Sequence, residues 1–309
     1  MSYHWETGEG VADGFRRIAG DELDAAVAGL SDPEVRGIEA TVHDVRKRCK
    51  KVRGLARLVR PGLGDSYQLI NRMARDAAAQ ISPIRDAHAV LRSFDRLLAD
   101  VDGELTTGGL FAVRAELSRR GHEASQSVAS HEAEVHDALE GLVALRALVA
   151  DCEVDDDVDV VIAGLTRTYR RGTDAMDRAH RRVDDEALHD WRKREKDLWY
   201  ATRLLTPWAP AMLGPQARVL HVLSEDLGDD HDLAVLTDLI DIDTDAFGGE
   251  EATQAATTLA ATSRQALQEH AFGLGVQVYA ERPKAFRRRF RSYEKTWSRH
   301  DGALPDGDA

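Results

Sequence analysis

Two histidines head the most cationic stretches of this chain, and each is followed one helical turn later by an arginine. The first opens the series His43, Arg46, Lys50, Arg53, Arg57 and Arg60, at spacings of three and four, with Lys47 beside it. Steps of three and four return to one face of an α-helix, so the series reads as one cation per turn along a stripe. The second opens the series His189, Arg192, Lys193, Lys196 and Arg203. Such rows suit a repeating anion. Arginine offers phosphate a forked pair of donors and lysine a mobile point charge. Histidine can donate to a phosphate oxygen whether neutral or protonated. Like charges on adjacent turns repel by roughly 0.2–0.5 kcal/mol per pair, a cost that an anionic partner would relieve.

Each feature has a plainer reading. A charge run is usually a solvated helix face. A lone histidine at an apolar–polar boundary is more often a structural residue than a ligand. Two observations weigh against this. Acids commonly interleave with cations on a solvated face, whereas 43–60 holds eight Lys or Arg and one acid. The pattern also recurs. His189 lies 146 positions after His43, and at that offset Arg57-Leu58 meets Arg203-Leu204 and Pro61 meets Pro207. A register kept over this length marks an internal duplication.

The rows need helices to carry them. On the first, Val45, Cys49, Val52, Ala56 and Val59 form an apolar stripe next to the cations and should face a core. Ser31 and Glu34 form a capping box with Pro33 in the first turn, which predicts a helix from there to Arg60-Pro61-Gly62. Before it, 11–30 has helical spacing. After it, 67–98 reads as helix, broken or kinked near Ser82-Pro83, 100–109 as a turn, and 110–149 as one long helix or a pair, weak at Gly121. The acidic run 151–159 reads as a joint. Beyond it helices are expected over 160–179, 186–206 and 213–227, with a new one after Gly228. A loop over 240–249 and helices over 252–271 and 276–299 complete the chain. No run alternates with period two. The expectation is all-α: two antiparallel, four-helix-type bundles, 11–150 and 155–299, related by a pseudo-twofold, with flexible termini at 1–10 and 300–309.

Composition agrees, with 43% hydrophobic, 31% charged and only 6% aromatic residues. Cys49 and Cys152 are the only cysteines, so neither a disulfide framework nor a thiolate metal cage is expected. No apolar run approaches the ~20 residues of a membrane span, and no signal-peptide layout opens the chain. A cytoplasmic protein is expected, without membrane association. The net charge of −13 argues against polyanions only on average. Charge is segregated: 282–291 adds six Lys or Arg and no acid, and a local field decides what docks.

The motif from His43 to Arg53, its partner at His189, the segments 84–91 and 227–236, and the ending that contains Lys284 and Arg288 together resemble the CHAD family, the conserved histidine α-helical domain. The likeness runs over about 10–299. It implies a pair of four-helix bundles with a basic central groove that binds inorganic polyphosphate, in some members at polyphosphate granules. Carried over, the binding residues would be His43, Arg46, Lys47, Lys50, Arg53, His189, Arg192, Lys193 and Lys196. The pairs Arg16-Arg17 and Arg170-Arg171 match the basic pairs on each half's opening helix. Three departures make the second half less basic. His231 replaces an arginine, Asp197 and Trp199 stand where the first copy has Lys51 and Arg53, and Glu195 stands at the place of Cys49. The His43 helix is therefore expected to dominate, and His231 to be structural.

Two other classes compete. Five His-Asp dipeptides, at His43, His136, His189, His231 and His300, raise an HD-type metal phosphohydrolase. Arginines and lysines around His43 and His189 would repel a divalent cation, and a hydrolytic site needs converging ligands with an open position. No glycine-rich phosphate loop is present either. Nucleic acid would be drawn to the rows, but few aromatics stand near them to stack bases. The expectation is a binding module, not an enzyme, with no cofactor and no metal.

Overall fold

The patterning is realised as helix, and there is no strand among the described residues. The computed structural model describes residues 3–32, 37–99, 108–126 and 132–299, side chains at 83–89, 108 and 124–126 excepted. In order the helices are α1 (Val11–Ser31), α2 (Ile38–Leu58), the short α3 (Arg60–Leu63), α4 (Ser66–Gln80), α5 (Pro83–Ala99) and α6 (Gly108–Gln126). Then come α7 (Glu132–Asp151), α8 (Val158–Arg181), α9 (Asp185–Leu204), a 3₁₀ turn at Thr206–Trp208, α10 (Pro210–Ile242), α11 (Glu250–Val278) and α12 (Pro283–Arg299). None of them is long and apolar enough to cross a membrane.

Helices α1, α2, α4 and α7 close one four-membered ring, in which α1 and α4 each touch both α2 and α7. Helices α8, α9, α10 and α11 pack in a second, and α12 lies on α8. The apolar stripe of α2 does face the core: Val45, Cys49, Val52, Ala56 and Val59 are each 1% exposed or less. Burying such side chains stabilises by roughly 1.5–3 kcal/mol apiece for the larger ones, and this holds the cation stripe outward.

The two rings meet where α2 crosses α9. A Cβ on Gly54 would stand 3.1 Å from the Tyr200 Cβ, so glycine permits the approach. Tyr200 is the counterpart of Gly54 at the offset of 146. Nearby, α8 presses on the end of α2, where a Cβ on Gly164 would fall 1.7 Å from the Leu58 carbonyl oxygen.

Several boundaries differ from expectation. Ser31 ends α1, its hydroxyl donating to the Val27 carbonyl at 2.8 Å. Helix α2 begins at Ile38 behind Gly37, whose φ of 78° suits glycine. Pro33 and Glu34 of the expected capping box lie outside the described residues, as do most of the 100–109 turn and the 300–309 tail. Gly228 does not start a helix. It sits inside α10, where the Arg192 guanidinium lies against it and a Cβ would be 3.3 Å from Nη2. Gly121 likewise lies within α6.

The arm 3–10 is not loose. Tyr3 and Trp5 are buried, the Tyr3 hydroxyl donates to the Lys51 carbonyl, and the Trp5 amide donates to the Leu204 carbonyl at 3.2 Å. The acids of the joint act as caps. Asp156 accepts from the Ala12 amide at 2.8 Å, and Asp157 accepts from the Asp159 amide. Helices α5 and α6 leave the first ring and pack on α10 and α11. They build a separate core there around Phe94, Val113, Leu236 and Phe247.

Candidate functional site

Packing sorts the cations of α2 into two sets. On the side toward α1, Arg48 and Lys51 close on Glu22 at 3.0 and 2.5 Å. Glu22 is buried, and burying a carboxylate is tolerable only when it is paired. These two cations therefore hold α1 to α2. Arg60 lies over the Tyr67 ring, 4.5 Å from its centroid. The row that remains, His43, Arg46, Lys47, Lys50, Arg53 and Arg57, turns toward α9.

There it lines a groove with two connected parts. The wider, about 400 Å³, has His43, Arg46, Lys47 and Lys50 on one wall and Arg192, Lys196, Trp199 and Tyr200 of α9 on the other. Helix α10 lays His221, Ser224, Glu225, Gly228, Asp229 and Asp232 along it, and α5 adds Arg96. The narrower, about 170 Å³, is bounded by Lys50, Arg53 and Arg57 of α2 and by Lys193, Arg194, Lys196 and Asp197 of α9. Lys50, Lys196 and Tyr200 belong to both. Arg46 with Arg192, and Lys50 with Lys196, are counterparts at the offset of 146, and each pair faces the same space.

The acids of α9 do not simply dilute its row. Asp197 pairs across the crossing with Arg57, and also with Arg194 at 3.2 Å. Burial pushes its carboxyl above the usual carboxylate range, with Arg57 and Arg194 pulling the other way. Arg53 is lowered by burial and then by Arg57, and its Nε donates to the Asn71 side-chain oxygen at 3.1 Å. Glu195, fully buried, has a carboxyl raised well above its ordinary range by burial. Lys196 and the Ser224 hydroxyl beside it pull the other way.

His189 is not in the groove wall. Its ring stacks on His231, centroids 4.2 Å apart and planes at 30°. Burial first, and then His231, lower it to about 4, so at neutral pH it is uncharged. His231 is lowered too, by burial and then by Arg192.

Other candidates sit elsewhere. Arg16 donates to the Cys152 carbonyl, and Arg17 forks onto Glu9 at 2.6 and 2.7 Å, which pins the N-terminal arm. Arg170 is exposed outside both walls. Arg171 is half-buried beside the narrow part, lowered by burial and then by Arg194. Arg203 lies over the rings of Tyr3 and Trp199. Lys284 and Arg288 are exposed on α12, away from the groove. In the 84–91 motif the side chains of 84–89 lie outside those described.

Arg96, Arg194, Tyr200 and His221 also line the groove, and the sequence does not single them out as site residues. Arg194 is legible within its motif. Arg96 and His221 arrive on other helices, and no sequence spacing ties them to the rows. Among the described residues no group of three or more His, Cys, Asp or Glu is placed to hold a metal ion.

Comparison with known proteins fits this geometry. No curated protein matches the sequence. The crystal structure of the CHAD domain from the plant Ricinus communis superposes with a TM-score of 0.60 at 15% identity, over 92% of this chain and 96% of that one. At that identity the likeness speaks to the fold. A family model for the CHAD domain matches residues 18–241, well over half of the sequence, and the chain belongs to the CHAD domain family.

Proposed function

We propose that the groove binds inorganic polyphosphate without turning it over, and that this takes the protein to polyphosphate granules in the cytoplasm. One observation carries the reading: cations of α2 and of α9 face each other along one continuous groove. From Arg46 to Arg57 the row rises about 16 Å along its helix, enough to engage several phosphates of a linear chain at once. The flanking cations, Arg48 and Lys51, are offset by Glu22 and, for Arg48, Asp44, so the field is focused into the groove although the chain is acidic overall. A hydrolase would need converging metal ligands, and here guanidinium and ammonium groups surround the groove histidine, His43.

Binding of this kind releases counterions, so affinity should fall linearly on logarithmic axes as salt rises. The test is a combined Arg46→Glu, Lys50→Glu, Arg192→Glu and Lys196→Glu variant, titrated with long-chain polyphosphate. It should lose at least a hundredfold in affinity while keeping its helical circular dichroism. Retained binding would refute the site, and orthophosphate release on adding Mn²⁺ would establish the hydrolase instead.

A further inference from the structure

Resting on that reading, the two parts of the groove differ in chemistry. The narrow part is cationic apart from Asp197, which Arg57 and Arg194 neutralise. The wide part also holds rings and acids. The Trp199 indole and the His221 imidazole stack there, centroids 4.9 Å apart and planes at 22°, and the His221 side chain is 51% exposed. On the same stretch of α10 stand Glu225, Asp229 and Asp232. Arg96 holds Asp229 at 2.8 Å, and Asp232 accepts from the Ser93 hydroxyl at 3.4 Å. Glu225 is 63% exposed and meets only the edge of His221, at 3.8 Å.

A ligand made solely of phosphate uses the cations of the wide part, Arg46 and Arg192 among them, but has no use for the rings and acids beside them. Carboxylates repel it, and an aromatic face gives it nothing. A nucleobase uses both. Its π-face stacks on a ring, its N–H donors pair with carboxylate oxygens, and its phosphates would run on toward Lys50, Lys196 and the narrow part. We infer that the groove accepts a purine nucleoside polyphosphate, with the base against the His221–Trp199 stack and the phosphates on the α2 and α9 cations.

Two ligands separate the terms. Tripolyphosphate and GTP would be titrated by calorimetry at fixed ionic strength, with excess EDTA to exclude metal-bridged binding at the carboxylates. Tripolyphosphate carries at least as much charge, so electrostatics alone ranks it equal or tighter. Base stacking should instead make GTP about tenfold tighter. In His221→Ala, at a half-exposed position, the ratio of the two affinities should collapse toward one. A Trp199→Leu variant should do the same, with circular dichroism checking its fold. If GTP binds no tighter than tripolyphosphate in the unaltered protein, or if the ratio survives both substitutions, the base site is overturned while the polyphosphate reading stands. If neither ligand nor long-chain polyphosphate binds, the polyphosphate reading falls, and the base site with it.

Discussion

Glu195 is the residue most at odds with its surroundings. It occupies the place that Cys49 holds in the first copy and is wholly enclosed, with the Ser224 hydroxyl beside it. In the unfolded chain an ordinary glutamate is ionised above about pH 4.3. In the fold burial raises its carboxyl well above that range. The folded state therefore binds more protons, and Glu195 costs stability progressively as pH rises above that ordinary range toward its raised folded value. Glu195→Gln removes the ionisation and keeps the shape. Its stability gain over the parent should be near zero at pH 4.5 and exceed about 1 kcal/mol by pH 8, read from urea unfolding. A gain independent of pH would mean that the carboxyl is not titrating as its burial dictates. The motif as written could not distinguish such a residue from Lys51 or Asp197. Identity was legible, but the facing helix decides which side chain is enclosed, which is paired and which is offered.

Helices had to approach closely for the two rows to share one groove, and small residues at the crossings permit it. Gly164 is the tightest, since an added Cβ meets the backbone of Leu58 rather than a movable side chain. Gly164→Ala should therefore destabilise by about 1–3 kcal/mol despite alanine's better helix propensity. Gly273 lies inside α11, and a Cβ added there would meet nothing within 4 Å, so Gly273→Ala should stabilise by about 0.5–1 kcal/mol. Thermal melts of the pair, followed by circular dichroism, check the sign of each. Periodicity gave the helices of both rows and the break at Pro83. It misread Gly228 as a helix start because, in sequence, a glycine that admits a neighbour looks the same as a glycine that ends a helix.

The rings are tied at several places: α2 on α9, α3 on α8, and the α5–α6 pair on α10 and α11. Crossed connections of this kind should make unfolding a single event. Four of the five tryptophans, Trp191, Trp199, Trp208 and Trp297, belong to the second half, so their fluorescence reports mainly on that half while far-ultraviolet circular dichroism reports on all helices. The two thermal transitions should coincide. A fluorescence transition separated from the dichroism would show the halves unfolding independently. The excursion of α5 and α6 also brings Arg96 to the groove, from a segment whose own half lies elsewhere.

Sequence alone determined the helical class, the two cationic rows, the stripe that buries Val45 to Val59, and membership of the family. These follow from local spacing, because a helix of period 3.6 fixes which residues share a face. Only the tertiary structure decided that Arg48 and Lys51 serve Glu22, that Arg57 meets Asp197, that His189 stacks on His231 away from the walls, and that Trp199 and His221 share one end of the groove. Each of these depends on which helix faces which across the crossing of α2 and α9, and spacing along one helix carries no information about that.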